Sequence, residues 1–292
     1  MKTETFDKEW FKDSKTLRGS SSKYTKGVTG GGVTIVGGSK LFHGAPLIAL
    51  KAASRIVSMV YFASPSEDKS VADKIKSSLL NFIWVPYTDV DRYVAKSEAA
   101  LVGPGMMRSH VSEHGFVCDT EGEQTRKISL GLFEKNPDQK WVVDGGTLQV
   151  TKVSDLPGGA VVSPNKKEFT MLFGEEMSSN LDERAEQIFR LAKQHNLVIL
   201  TKDEVSIVSD GKRVVKITGG NEGLVKGCTG DLIAGIIVGF LAKDDGLFAS
   251  AAASYLTKKA AEKLAEKRGF MFNADDLTDM VPEIYGEVVA NL

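Results

Sequence analysis

The sequence predicts an α/β fold, with a central and mostly parallel sheet between helical layers, and three observations support that class. Short apolar runs that stop at turn residues alternate with longer amphipathic segments over most of the chain. One pair of alternating runs flanks an Asp-Gly turn, and the chain beyond Asp231 is mostly helical in pattern. The 292 residues contain neither a linker-like stretch nor a fixed-period repeat, which favours one domain.

Six apolar runs have the length of buried parallel strands, and each stops at turn residues such as Gly, Pro or Asp. They are Val33–Val36, Ile56–Phe62, Ala99–Val102, Trp141–Val143, Ala160–Val162 and Leu197–Leu200. In folds of this class ligands gather at the carboxyl ends of the strands. We therefore expect a binding site beside these turn residues.

Helical patterns fill the intervals between the predicted strands and continue after them. The predicted helices are Ala45–Arg55, Ser66–Asn81, Lys167–Gly174, Ser178–His195, Leu232–Ala242 and Phe248–Lys267. The segment Val205–Thr218 is different, because its two alternating runs meet at Asp210 and Gly211 and predict a β-hairpin.

Composition limits the classes of partner. The 37 Lys and Arg residues balance 38 Asp and Glu residues, so a formal charge of -1 gives no general attraction to nucleic acid or to an anionic membrane. Cys118 and Cys228 are too few for a disulfide framework, and the charged N-terminus lacks the apolar core of a signal peptide. We expect a cytoplasmic protein that binds neither nucleic acid nor membrane.

The segment Gly227-Cys228-Thr229-Gly230-Asp231 directly precedes a predicted helix. Backbone amides at the start of a helix carry partial positive charge and bind phosphate, and glycines let the backbone approach the anion closely. A carboxylate beside phosphate is unfavourable unless it has a task, such as accepting the proton of an attacking hydroxyl. The alternative is that Asp231 is only an N-cap, and the segment alone leaves both readings open.

The surroundings of this segment resemble a known family. GGNEGLVKGCTGDLIAGIIVGFLA, residues Gly219–Ala242, resembles the Asn-x-Gly, Gly-x-Thr-Gly-Asp and Leu-x-Gly signature of the ATP- or ADP-dependent NAD(P)H-hydrate dehydratases of the ribokinase-like superfamily. Five further segments resemble blocks of that family in the same order: Val33–Arg55, Leu101–Arg108, Val142–Leu148, Val161–Phe169 and Leu200–Val208. The resemblance implies a ribokinase-like three-layer α/β/α domain over residues 22–292, preceded by an N-terminal extension at 1–21.

The resemblance also implies a reaction. Members of the family repair hydrated NADH and NADPH: a nucleotide phosphorylates the ring hydroxyl, and loss of phosphate restores the reduced cofactor. The implied cofactors are ADP or ATP and Mg²⁺. A homo-oligomer, with a tetramer favoured, is also implied. Because only about 20 residues precede the first matched block, too few for a domain, we expect the companion NAD(P)H-hydrate epimerase to be a separate partner.

Site residues follow from positions within the matched segments, with Asp231 as the implied catalytic base. The implied substrate-binding residues are Ala45, Gly105, Asn165 and Asp231, and Glu168 is a candidate for indirect contact with Mg²⁺. The implied nucleotide- or anion-binding residues are Lys202, Ser206, Asn221, Gly223, Gly227, Cys228, Thr229 and Gly230.

Four positions depart from the family pattern and leave two alternatives open. Asn165 replaces the usual His, and with Glu168 it resembles the Asn-x-x-Glu of ribokinase-type kinases that act on sugar or vitamin alcohols. Gly146 replaces a second acid, Met107 replaces a glycine, and Asp203 stands where Lys is usually followed by Gly. These changes are the reason to consider a small-molecule kinase or a non-catalytic nucleotide-binding regulator.

A zinc site is a weaker alternative. His110, Glu113 and His114 fit a His-x-x-Glu-His pattern, with Cys118 four residues further on. Matches of five residues arise readily by chance, Gly115 interrupts the segment, and a convincing third ligand is not apparent. A polar surface stretch is the favoured interpretation.

Overall fold

A computed structural model of the chain describes residues 3–18, 31–65, 77, 79, 81–108, 110–112, 115–117 and 120–292. Within these residues the strands are β1 (Thr3–Thr5), β2 (Gly32–Val36), β3 (Met59–Ala63), β4 (Ile83–Trp84), β5 (Ala99–Val102), β6 (His110–Ser112), β7 (Gly115–Val117), β8 (Trp141–Val143), β9 (Val161–Val162), β10 (Val198–Thr201), β11 (Ser206–Ser209) and β12 (Val214–Ile217).

The helices of the described residues lie between and after these strands. The α-helices are Lys15–Arg18, Gly44–Ala53, Val90–Lys96, Thr120–Lys135, Gly145–Val150, Lys166–Phe173, Leu181–His195, Thr229–Leu241, Gly246–Arg268 and Ala274–Ala290. Short 3₁₀ helices cover Lys8–Asp13, Tyr87–Asp89, Val153–Asp155 and Glu222–Val225.

One ten-stranded sheet runs through the protein in the order β1-β12-β11-β10-β9-β8-β5-β2-β3-β4. Its pairs are parallel except β10 with β11 and β11 with β12, while β6 and β7 form a separate antiparallel ribbon. The predicted α/β class with a mostly parallel sheet is confirmed, and so is the hairpin around Asp210 and Gly211.

Apolar residues on both faces of the sheet are buried, which makes the fold three-layered. Along β5 and β8 alternate side chains enter two separate cores. The helices Gly44–Ala53, Thr229–Leu241 and Gly246–Arg268 bury their apolar residues in one core. The helices Lys166–Phe173 and Leu181–His195 bury theirs in the other. Both helical layers therefore pack against apolar side chains of the sheet.

The predicted elements agree with the structure most closely in the middle of the sheet. β5 and β8 have the predicted bounds, whereas β3 begins at Met59 and not at Ile56, because residues 54–58 form the turn after the preceding helix. Most of the predicted helix Ser66–Asn81 lies outside the described residues. In the described part of the chain, no helix is both long and apolar enough to cross a bilayer.

Residues near the N-terminus contribute a strand that the sequence pattern does not indicate. β1 pairs in parallel with β12 at one edge of the sheet, and Phe6 and Phe11 are buried in a core that includes Phe248. The buried carboxylate of Asp244 accepts hydrogen bonds from the backbone amide of Lys15 at 2.6 Å and from the hydroxyl of Thr16 at 2.6 Å. Residues 3–18 thus pack on the sheet and the helices that follow.

The candidate site lies where parallel strands end side by side. Gly103 follows β5, Asp144 follows β8, Ser163 follows β9 and Lys202 follows β10. The Asp144 amide donates to the Val102 carbonyl at 3.1 Å, which keeps two of these strand ends together. The carboxyl ends of parallel strands meet at one edge of a sheet, so the polar residues after them converge there.

Candidate active site

Four charged residues from distant parts of the sequence meet at the strand ends: Asp144, Glu168, Lys202 and Asp231. The Lys202 ammonium lies 3.3 Å from Oδ1 of Asp144, which also accepts a hydrogen bond from the Ser163 hydroxyl at 2.9 Å. Asp144 is 3% exposed, and Glu168 is buried as well. This charged cluster contains three carboxyl groups and one cation, so its residues influence one another strongly.

Asp231 has the proton affinity of a general base that works near neutral pH. Burial, followed by the negative charge of Asp144, raises the pKa of Asp231 to about 7, although Lys202 and a hydrogen bond with Cys228 act in the opposite direction. A base with a pKa near the working pH combines availability of the charged form with a strong tendency to take a proton. The residue predicted to be catalytic therefore lies in an environment that suits the role.

Lys202 stays charged beside these acids. Burial by itself lowers the pKa of Lys202, but Asp144 and Glu168 outweigh that effect and hold the pKa above its ordinary value. Burial and the charge of Asp144 raise the pKa of Glu168. An anion that entered the site would therefore meet a fixed positive charge at Lys202.

The loop before Asp231 has the geometry of an anion site. Cys228 precedes the helix Thr229–Leu241 with a φ of 64°, and the first helical hydrogen bond runs from the Leu232 amide to the Cys228 carbonyl at 3.0 Å. The amides of residues 229–231 come before that bond and have no carbonyl one turn earlier in the helix to receive them. A Cβ added to Gly230 would lie 3.0 Å from the Lys202 ammonium, so the loop and the lysine face each other.

The anion loop is anchored from outside the site. The Thr229 hydroxyl donates to the Lys226 carbonyl at 2.8 Å, and the Lys226 ammonium donates to the carbonyls of Phe270 and Phe272. A Cβ added to Gly227 would meet nothing within 4 Å, which leaves open space beside the loop. A phosphate group fits this combination of amides, one lysine and free space.

The described residues fit an indirectly held magnesium ion better than a directly bound one. In the part of the chain that the structure describes, no group of three or more His, Cys, Asp or Glu side chains could hold a metal ion. The Glu168 carboxylate already accepts hydrogen bonds from the Asn165 amide at 2.9 Å and from Gln149 at 3.0 Å. Mg²⁺ commonly keeps its waters and binds phosphate oxygens, so a nucleotide could carry the ion into this site.

Three residues that we predict to bind the nucleotide already make contacts within the protein. Asn221 donates to the Ala261 carbonyl at 2.8 Å and accepts from the Gly223 amide at 3.0 Å. A Cβ on Gly223 would come within 2.2 Å of the Phe272 ring, so a larger residue cannot stand there. Ser206 is buried at the start of β11, four residues after Lys202. Their contact with a nucleotide stays a prediction.

The predicted substrate residues bring backbone segments close together. Gly105 has a φ of +68°, and a Cβ at this position would lie 2.6 Å from the Phe42 carbonyl oxygen and 3.4 Å from the Ala45 Cβ. Ala45 lies in the first turn of the helix Gly44–Ala53. Asn165 is exposed and caps the helix Lys166–Phe173, accepting from the Glu168 amide at 3.0 Å. The Asn-x-x-Glu pattern is therefore a capping box in this chain.

Local packing accounts for the other departures from the family pattern. A Cβ on Gly146 would lie 2.4 Å from the Met106 carbonyl oxygen and 3.0 Å from that of Met107, so the loop that carries Met107 occupies the space of a side chain at 146. Asp203 receives a hydrogen bond from Arg184 at 2.6 Å and lies 3.1 Å from the Lys166 ammonium. Its charge is thus balanced by two cations.

Asp144 is a site residue that the sequence does not assign to any ligand. Its signal is an acid that directly follows the apolar strand β8, within the segment Val142–Leu148 that resembles a family block. The zinc alternative, by contrast, requires His110 and His114 on one turn of a helix, and His110–Ser112 instead form a strand. Glu113, His114 and Cys118 lie outside the described residues.

Known proteins of similar sequence and structure bear on this geometry. Residues 33–283 match a family model described as NAD(P)H-hydrate dehydratase. An ADP-dependent (S)-NAD(P)H-hydrate dehydratase from Cenarchaeum symbiosum (strain A) is 30% identical over 87% of this chain and 88% of its own length. A bifunctional NAD(P)H-hydrate repair enzyme Nnr from Hyperthermus butylicus is 30% identical over 91% of this chain, which spans 50% of that relative.

The fold has a close counterpart among solved structures. The ADP/ATP-dependent NAD(P)H-hydrate dehydratase from Bacillus subtilis, co-crystallized with ATP/Mg²⁺ and soaked with CoA, superposes with a TM-score of 0.76. The match covers 99% of this chain and 100% of that chain at 20% sequence identity, and it shows a common fold.

Proposed function

The chain belongs to the NAD(P)H-hydrate dehydratase family, and from that premise we propose how its charged cluster performs nucleotide-dependent dehydration of hydrated NADH and NADPH. The single observation that carries the proposal is the position of Asp231: a carboxyl group with a pKa of about 7 stands in the first turn of a helix whose amides form an anion site.

The first chemical step is transfer of a phosphoryl group to the hydroxyl of the hydrated ring. Asp231 accepts the hydroxyl proton while the oxygen forms a bond to the terminal phosphorus and the bond from that phosphorus to the nucleotide breaks. The amides of residues 229–231 and the Lys202 ammonium bind the transferred group and stabilise the charge on its oxygens. Loss of phosphate from the ring, with release of a proton from the neighbouring ring carbon, then restores the double bond of the reduced cofactor.

The donor is ADP or ATP, and the name of the Cenarchaeum relative, "ADP-dependent", supports ADP. Lys202, Ser206 and the loop Gly227–Gly230 would contact the nucleotide, with Asn221 and Gly223 supporting the segment that leads to the loop. Bound Mg²⁺ would neutralise phosphate charge, and Glu168 would act on it indirectly because its carboxylate is already hydrogen-bonded. Ala45, Gly105 and Asn165 would face the dinucleotide.

An assay with the purified protein tests this function. Hydrated NADH or NADPH is incubated with Mg²⁺ and either ADP or ATP, and recovery of reduced-cofactor absorbance is followed. Recovery that requires a nucleotide supports dehydration, and the more effective nucleotide is the donor. A stable phosphorylated product from another alcohol would favour a kinase, and tight nucleotide binding without turnover would favour a regulator.

The state and setting of the protein are part of the same proposal. We infer a cytoplasmic homo-oligomer, with a tetramer favoured, and an NAD(P)H-hydrate epimerase as partner. Light scattering gives the mass in solution, and a monomer would refute the assembly.

A further inference from the structure

The short turn that carries Lys202 is held by a buried lysine that the proposed chemistry does not use. Residues 202–205 connect β10 to β11, and Lys258 reaches this turn from the helix Gly246–Arg268. The Lys258 ammonium donates to three backbone carbonyls, those of Asp203 at 3.0 Å, Glu204 at 2.7 Å and Gly219 at 3.0 Å. Lysine is rarely buried without partners, and here three N–H groups match three carbonyl oxygens.

Burial at Lys258 is nearly complete, since the residue is 4% exposed. Burial lowers its pKa, although Asp203, Glu262 and Glu204 oppose that effect. A buried ammonium has an energetic cost, and a surface turn could instead be solvated. The energetic cost of burying Lys258 is consistent with a turn that has to be held in one position.

The opposite helical layer holds the side chain of the same turn. Arg184, on the helix Leu181–His195, is 6% exposed and donates to Oδ2 of Asp203 at 2.6 Å. The other Asp203 oxygen accepts from the Glu204 amide at 2.9 Å. The Arg184 Nε has no hydrogen-bond partner among the described residues, and an unpaired buried donor is unfavourable. Arg184 thus binds the Asp203 side chain from the helical layer opposite to Lys258.

The held turn and the anion loop are joined through one residue. Lys258 contacts Gly219 as well as the turn, and the chain from Gly219 leads through Asn221 to the loop at Gly227. The Lys202 side chain is long and flexible, yet its ammonium lies between Asp144 and Gly230. When the backbone of the turn is held in place, the Lys202 ammonium can reach fewer positions.

We propose that Lys258 and the Arg184–Asp203 pair are positioning residues that hold the turn carrying Lys202 against the loop carrying Asp231. The inference rests on the function proposed above, because it assigns these contacts to the placement of a binding lysine beside a catalytic base. Neither Lys258 nor Arg184 touches the reacting atoms in this scheme. Their effect reaches Asp231 only through the position of Lys202.

Two variants test the inference from different sides of the turn. Lys258→Met removes the ammonium, and Asp203→Gly removes the side chain that Arg184 binds. The groups that influence Asp231 directly, namely Asp144, Glu168, Lys202 and Cys228, are unchanged in both. Because Lys202 lowers the pKa of Asp231, a displaced Lys202 should move the Asp231 titration midpoint upward by about half a pH unit or more. Carbon-13 NMR of the aspartate carboxyl groups measures that midpoint without any turnover.

Kinetics give the second readout. In both variants kcat should fall several-fold and the rising limb of the pH–rate profile should move to higher pH, while KM for the hydrated cofactor changes less. Lys258→Arg, which keeps a buried cation, should restore part of the effect. Lys202→Met removes the ammonium itself and should give the largest shift of the Asp231 midpoint.

Arg126→Met is the matched control, because Arg126 lies in the helix Thr120–Lys135 and forms a 2.9 Å ion pair with Asp155 instead of with the turn. It should lower thermal stability without moving the Asp231 midpoint. If Lys258→Met and Asp203→Gly behave in the same way as this control, the inference is wrong. Should Lys258→Met fail to fold, Asp203→Gly alone decides. Absence of turnover in the wild type would refute the proposed function, whereas the NMR midpoints would still decide this inference.

Discussion

The two halves of the candidate site are built from opposite kinds of residue. The charged cluster depends on side chains, since Lys202, Asp144 and Asp231 influence one another through charge in a buried setting. The half that we propose for the substrate depends on small residues, because Gly105 leaves room for the Phe42 carbonyl and Ala45 is small. We therefore expect the charged cluster to set the pKa of Asp231 and the proposed substrate half to set the shape of the pocket. Substitutions in the two halves should therefore change different kinetic quantities.

The largest effect is expected at Asp231. Asp231→Asn keeps the size of the side chain but cannot accept the hydroxyl proton, so kcat should fall by roughly 10²- to 10⁴-fold. Binding of the nucleotide should persist, because the amides of the loop and Lys202 remain. Steady-state kinetics and calorimetry measure the two quantities. An Asn variant with near wild-type kcat would remove Asp231 from the mechanism.

Lys202 ranks second, because it is the one cation of the charged cluster. Lys202→Met should lower kcat/KM by about 10- to 100-fold, since the phosphoryl group loses a charge-assisted contact. The rising limb of the pH profile should also move to higher pH, because Lys202 lowers the pKa of Asp231. Lys216→Met, which removes a surface pair with Asp182, is the control for loss of a lysine. An unchanged pH limb would contradict this assignment.

The same carboxyl group should make the protein less stable at neutral pH. The unfolded chain releases the Asp231 proton near its ordinary pKa, whereas the folded chain keeps it to about pH 7. The folded state thus binds more protons between these values, so wild-type stability falls as pH rises through that window. Because about three pKa units separate the folded and unfolded states, Asp231→Asn should be more stable by about 4 kcal/mol at pH 8 and nearly equal at pH 4. Urea unfolding at both pH values measures this difference, and equal stabilities at pH 8 would contradict it.

The contrast between the halves also explains what the sequence could predict. β5 and β8 were predictable because each is a short apolar run closed by a turn, and the loop at Gly227–Asp231 has a local signature. β1 has the sequence Thr-Glu-Thr, without an apolar pattern, and it exists because β12 offers a free edge. The cation partners of Asp203 come from Arg184 and Lys166, and only the tertiary fold brings them to that turn.

The charged cluster was predictable only in part, for the same physical reason. Asp231 and Lys202 stand in recognisable segments, but Asp144 acts on Asp231 because the fold brings the buried Asp144 close to the partly buried Asp231. Burial and distance set a pKa, and neither can be taken from a local pattern. The role of Asn165 and Glu168 as a capping box was open to sequence reading, since Asn-x-x-Glu before a helix is a capping signal.

A change in the substrate half should act on shape and leave proton affinity alone. Ala45→Leu adds bulk in the first turn of the helix Gly44–Ala53, beside Gly105. We expect KM for the hydrated cofactor to rise about tenfold, because a pocket discriminates added methylene groups at this level. The rising limb of the pH–rate profile should keep its position. Ile83→Ala in the edge strand β4 serves as control. A shift of the rising limb of the pH–rate profile in Ala45→Leu would contradict the separation between the two halves.

The smallest effect tests the charged cluster from the side of Asp144. The negative charge of Asp144 raises the pKa of Asp231, so Asp144→Asn should move the rising limb of kcat/KM to lower pH by about half to one unit. The Asn oxygen can still accept from the Ser163 hydroxyl, which preserves the local structure. Lys202 loses its 3.3 Å partner and becomes free to approach Asp231, and this acts in the same direction. A limb that moves to higher pH would mean that Asp144 acts on the base mainly by holding Lys202 in place, and the charged cluster would then depend on position more than on direct repulsion between its acids.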